Sequence, residues 1–140
     1  MKKILRWLVL LPIFYFPFTS LVSCASHLKG YELDKSTAFI NKYSFNNIND
    51  EICVFFIFVK SDWGKKQVEI QSRLLNNDNV EVNEQFILSD LISYSTEWVK
   101  IAKLTINKQL SPPNDKDVFR VNFKIKDSSF LGSFDIEYND

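Results

Sequence analysis

Cys24, Cys53 and His27 are the only residues in the chain suited to thiol or imidazole chemistry. Covalent catalysis needs a nucleophile and a base within hydrogen-bond reach, with the base oriented by a third group. His27 lies three residues past Cys24 in a short polar stretch, with no walls to hold it or tune its pKa. It reads as a connector residue. Cys53 sits in the apolar run Ile52 to Val59 without a basic neighbour, and reads as a buried structural thiol. Gly-x-Ser-x-Gly, a Gly-rich phosphate loop and Cys/His zinc spacing are all missing from the sequence. Asp115/Asp117 and the Asn76 to Asn79 cluster offer loop oxygens of the kind that bind Ca2+, but the calcium-hand pattern is not there. Clusters of this type are ordinarily turns. No catalytic residue, metal ligand or cofactor is assigned.

The residues that offer recognition instead of reaction are more promising. Trp63 stands in a turn beside Asp62, Gly64, Lys65 and Lys66. An indole at a loop tip stacks on a sugar or anchors a protein partner, unless it folds back to close the end of the domain. Lys65 and Lys66 either face solvent or meet an acidic patch. Trp63, Lys65, Lys66, Asp115 and Asp117 are therefore the partner-binding candidates.

The chain opens with the basic residues Lys2, Lys3 and Arg6, runs apolar from Trp7 to Phe18 with two interruptions (Pro12 and Pro17), and exits through Thr19-Ser20. This is the order of a secretory signal peptide. An uncleaved membrane span wants about 20 apolar residues and fits less well. Cleavage after Ala25 is the other alternative, and leaves Cys24 unexplained. The closing Leu21-Val22-Ser23-Cys24 resembles a bacterial lipobox. The resemblance implies that Cys24 takes diacylglycerol on sulfur, that the chain is cut before it, and that the new amino terminus is acylated. Ala25, unlike Asp, points to the outer membrane as the destination. Stable anchoring takes more than one acyl chain, which a triacylated Cys24 provides. Residues 1–23 are then the signal peptide, 24–30 a lipidated tether and 31–140 the domain.

Removing Lys2, Lys3 and Arg6 from 17 Lys+Arg leaves 14 against 17 Asp+Glu, a net charge of −3. That argues against a nucleic-acid partner. With Cys24 lipidated, Cys53 has no cysteine left to pair with.

The tether is short, and beyond it strands and polar turns alternate. Tyr31 to Asp34 is an edge piece, and Thr37 to Phe45 a strand burying Phe39 and Tyr43. Ile52 to Val59 is apolar at every position, as in a central strand covered on both faces. Gln67 to Leu75 alternates, with Val68, Ile70 and Leu74 on one side. Val80 to Leu88 is expected as one strand with Val80, Val82 and Phe86 together, and Ser89 to Ser93 as a helical turn. Glu97 to Asn107 carries Trp98 as a core residue. Val118 to Lys126 and Phe130 to Tyr138 both alternate cleanly. About seven or eight strands at this spacing predict an all-β antiparallel β-sandwich, immunoglobulin-like or jelly-roll-like.

Tyr31-Glu32-Leu33-Asp34-Lys35, the strand Cys53 to Val59 and Leu131-Gly132-Ser133-Phe134 are also similar to a group of small uncharacterised bacterial lipoproteins with β-sandwich domains. Some of these are suspected immunity or inhibitor proteins; the proline expected before Gly132 is missing here. The expectation is a non-enzymatic, membrane-anchored module that binds a protein in the envelope. In its narrower form it is an immunity or inhibitor protein using the loops Asn46–Asp50, Ser61–Lys66 and Ser111–Asp117. A structural or pilot lipoprotein and a carbohydrate-binding module are the alternatives.

Overall fold

The computed structural model describes residues 35–62, 67–94 and 96–140. The leader, Cys24, the tether with His27, Tyr31 to Asp34, and the cluster Trp63, Lys65 and Lys66 lie outside the described residues. Among those described there is no α-helix, and ten strands form two five-stranded sheets. Sheet A contains β1 (Thr37–Ile40), β3 (Glu51–Ile57), β8 (Thr96–Ile106), β6 (Phe86–Leu88) and β7 (Ile92–Tyr94), with β6 and β7 both pairing to β8. Sheet B runs β2 (Ser44–Phe45), β10 (Phe130–Tyr138), β9 (Val118–Ile125), β4 (Val68–Leu74) and β5 (Val80–Glu81). All pairings are antiparallel except β2 with β10. This is the expected β-sandwich.

Inward residues of both sheets make one aromatic core. Phe56 of sheet A meets the Phe123 ring of sheet B edge-on at 5.7 Å. Phe86 lies between Phe45 (5.8 Å, stacked) and Phe119 (5.1 Å, edge-on). Period-two alternation places these rings: Phe119, Val121, Phe123 and Ile125 are all 2% exposed or less, as the sequence pattern predicts. Burying one such side chain contributes roughly 1.5–3 kcal/mol. At Gly132, an added Cβ would stand 3.1 Å from the Phe134 ring, so a side chain there would force the ring to move.

The central strand β3 is covered on both faces, as expected. Ile52, Val54 and Phe56 belong to the inter-sheet cluster, while Phe55 and Ile57 are buried on the outer face. Cys53 is the exception, only half-buried. Its cross-strand neighbour is Lys103, beside the polar residues Glu51 and Asn41, so the apolar cover stops short of it. Burial, followed by the Glu51 charge, raises its thiol pKa.

Several expectations are corrected where the chain changes sheet. Thr37 to Phe45 is two strands, because the chain leaves sheet A after Ile40 and joins sheet B at Ser44. Ala38, Ile40 and Phe45 are therefore the buried residues, and Phe39 (38% exposed) and Tyr43 (62%) are not. Val80 to Leu88 likewise divides between β5 in sheet B and β6 in sheet A, through a 3-10 turn over Asn83–Gln85. Ser72 pins this crossover from the core side. Its Oγ donates to Val82 O (2.8 Å), its N–H donates to Asn83 Oδ1 (2.8 Å), and its carbonyl accepts from Val82 N (2.9 Å). Ser89 to Ser93 is no helical turn but a kink in an edge strand, where Ser89 Oγ accepts from Lys103 N at 2.8 Å. Trp98 is only partly buried, and Lys100 is the side chain that goes under. Its Nζ donates to Ser93 Oγ at 2.8 Å, with Glu97 Oε2 at 3.9 Å.

Candidate functional site

Strand directions sort the loops into two groups. β3 begins beside the end of β8, and β4 ends beside the start of β9. The segments Asn41–Asp50, Leu75–Asn79, Asn107–Asp117 and the carboxyl terminus therefore share one end of the sandwich. Lys60–Asp62 and Gln67, which flank Trp63, Lys65 and Lys66, follow the end of β3 and precede β4, at the opposite end. Of the loop Ser61–Lys66 the described residues are Ser61 and Asp62, and these stand at the end opposite to Asn46–Asp50 and Ser111–Asp117.

The shared end is built by Asn and Asp side chains that satisfy the loop backbone. Asp50 Oδ2 accepts from Asn46 N (2.9 Å), Asp50 Oδ1 from Glu51 N (2.9 Å) and Lys42 Nζ (2.6 Å), and Asn47 Oδ1 from Asn49 N (2.8 Å). Asn76 joins a turn to a loop forty residues away: its Oδ1 accepts from Val118 N (3.0 Å) and its Nδ2 donates to Lys116 O (3.3 Å). Lys116 N donates to Tyr138 O and Lys116 Nζ to Asn139 Oδ1. Such bonds replace water partners with fixed ones, each contributing about 0.5–1.5 kcal/mol net. Asp78, Asn79 and Lys116 adopt positive φ (55°, 55° and 69°), the left-handed backbone that Asn and Asp tolerate best.

Asp115 and Asp117 flank Lys116 in this network. Asp115 is exposed, and its Oδ1 accepts from Asp140 N at 3.0 Å. Asp117 is buried, and its Oδ2 accepts from Asn114 N at 2.9 Å. Burial pulls the Asp50 carboxyl up, yet the Lys42 ammonium and the N–H groups of Asn46 and Glu51 outweigh it and hold the group below its ordinary value. Tyr43, Val80 (50% exposed) and Leu110 (39%) stand out of the polar rim as apolar contacts; the sequence pattern put Tyr43 and Val80 on strand faces and did not mark Leu110.

Among the described residues, no cluster of three or more His, Cys, Asp or Glu could hold a metal, and no helix is long and apolar enough to cross a membrane. What the geometry shows is a loop surface held by its own side-chain hydrogen bonds. No family model matches the chain, and no curated protein is similar to it.

Proposed function

We propose that the chain is a lipid-anchored, non-catalytic protein-binding module of the bacterial envelope, facing the periplasm from the outer membrane. In its narrower form it is an immunity or inhibitor protein that neutralises an exported effector. The carrying observation is the hydrogen-bonded loop end. Loops fixed in advance lose little conformational entropy on binding, so more of the contact energy becomes affinity. A standard interface needs about 800 Å² from each partner. The four segments sharing this end, with Tyr43, Val80 and Leu110 as apolar anchors, supply a surface for it.

The leader supports the cellular half of the reading. With Leu21-Val22-Ser23-Cys24 read as a lipobox, the acyl anchor is close to the domain, because the six residues Cys24 to Lys29 extend to about 20 Å at roughly 3.3–3.6 Å each. A domain held at that distance meets an incoming effector at the bilayer. The partner is a protein and the bilayer itself, with no nucleic acid.

Deleting the gene sensitises cells to an effector encoded beside it, and a plasmid copy restores survival. The double variant Tyr43→Asp/Leu110→Asp, which alters exposed side chains only, restores no protection at wild-type abundance. Unchanged survival on deletion, or full rescue by the double variant, contradicts the proposal.

A further inference from the structure

One side of the sandwich opens into a seam. Near the loop end, the crossover through Val82 and Asn83 closes the side between β4 and β6 by its bonds to Ser72. Further along, β6 and β7 form the free edge of sheet A, and a cavity of about 280 Å³ opens between that edge and sheet B. Val68, Leu88 and Leu91 give it apolar walls, and Glu69, Asp90 and Lys126 give it a charged rim. The volume falls just short of the range of about 300–1,000 Å³ seen for small-molecule pockets, and suits one long side chain.

The edge is available for pairing. Gln85 O accepts from Asn107 N and Ser89 N donates to Lys103 O, so residues 85, 87 and 89 turn their backbone groups toward β8. Alternation then turns the backbone groups of Phe86 and Leu88 outward. Beyond the kink Ile92 pairs with Ile101, and Ser93 takes the outward position. On the outer side of the same edge, Ile87 (49% exposed) and Ile92 (63%) project into solvent. A strand added here would alternate its side chains between the cavity and these two isoleucines.

The charges select the occupant. Among the described residues the lining holds two carboxylates against one ammonium; Lys124 is the cross-strand neighbour of Glu69, yet neither Glu69 nor Asp90 is in an ion pair. A Lys or Arg stem fits the apolar walls while its head meets the carboxylates. We propose that the seam receives an extended segment of a partner protein, which adds a strand to the β6–β7 edge and sends one Lys or Arg side chain into the cavity. This rests on the protein-binding reading but on none of the loop-end residues.

The test uses the full chain in detergent micelles and two acetylated, amidated probes: Thr-Val-Thr-Lys-Thr-Val-Thr and its counterpart with Glu in place of Lys. Fluorescence anisotropy should show the Lys peptide binding at least about tenfold more tightly, as reversing one charge opposite a carboxylate pair requires. Bound peptide should slow amide exchange at Phe86, Leu88 and Ser93. Glu69→Lys/Asp90→Lys should cancel or invert the preference, and Lys126→Glu should enlarge it. Equal affinities, no binding by either peptide, or slowed exchange confined to the loop end overturns the inference. So does self-association of the chain through this edge that no peptide competes away. Tyr43→Asp/Leu110→Asp should leave peptide binding unchanged. If the peptides fail while that variant still abolishes protection in cells, the seam inference falls and the loop-end reading stands.

Discussion

The two outer faces of the sandwich are opposites. On sheet B a row of charges crosses four strands: Glu81, Arg73, Arg120 and Asp135 are successive cross-strand neighbours. The two arginines face each other directly, an arrangement that repels. Each is offset by its own carboxylate, Arg73 by Glu81 at 2.9 Å and Arg120 by Asp135 at 2.8 and 3.0 Å. On sheet A the matching row is Phe39, Phe55, Ile101 and Ile92, and the next is Thr37, Ile57 and Val99. Phe55, Ile57 and Val99 are 3–4% exposed, although none belongs to the inter-sheet cluster. One face is therefore charged and wet, while the other is apolar, buried at its centre around Phe55, Ile57 and Val99 and exposed at its margins at Phe39 and Ile92. Alternation in β9 and its absence in β3 are the sequence records of those two situations.

Truncation separates the faces most sharply. Phe56→Ala, in the core, should cost about 3–5 kcal/mol, and Phe55→Ala, on the outer face of sheet A, about 3 kcal/mol. Urea titrations of both variants check this, and a Phe55→Ala cost below about 1 kcal/mol would show that the outer face is not packed. Ser72→Ala is next: it leaves the Val82 carbonyl without its side-chain donor inside sheet B, and should cost about 1–3 kcal/mol. The loop end gives a pH signature. Asp50 is held below its ordinary value of 3.8, so its contribution is complete above that pH and is lost as pH falls through the lowered folded value. Stability of the wild type should therefore fall more steeply below about pH 4 than that of Asp50→Asn. Parallel acid limbs in thermal melts would remove Asp50 from the account. Smallest of all, Arg120→Ala should barely move the urea midpoint, and less still in high salt, because the pair with Asp135 is exposed. A larger loss would mean that the charged face contributes to stability as the apolar face does.

The fold class was legible because most long strands carry their own pattern. β4, β9 and β10 alternate, and β3 is continuously apolar, so each can be assigned without its neighbours. The breaks were not legible. Nothing local distinguishes a strand from Thr37 to Phe45 from two strands that change sheet at Asn41–Tyr43. The crossing after β5 likewise depends on bonds from Ser72, ten residues earlier in sequence than Val82. Partner exchange of this kind is tertiary, and propensity does not encode it. Lys100 shows the same limit from the other side, since a lysine in an alternating strand reads as exposed until Ser93 is seen beside it. For the candidate site, the sequence marked Asn46–Asp50 as a turn through its Asn and Asp content and Ser111–Asp115 as a loop through Pro112 and Pro113. That both lie at one end, and Lys60–Asp62 at the other, follows only from the order of strands in each sheet. Tyr43 and Val80 were read as strand-face residues and Leu110 went unmarked, because exposed apolar residues near turns have no distinctive spacing.

The proposed function joins an acylated amino terminus to a preordered binding surface, and the first half is the more directly measurable. Intact mass spectrometry of protein purified from membranes should give a chain beginning at Cys24 and carrying diacylglycerol plus an amide-linked acyl group, with Cys24→Ser released to the soluble fraction. A wild-type mass matching unmodified polypeptide, with both forms equally soluble, would contradict it.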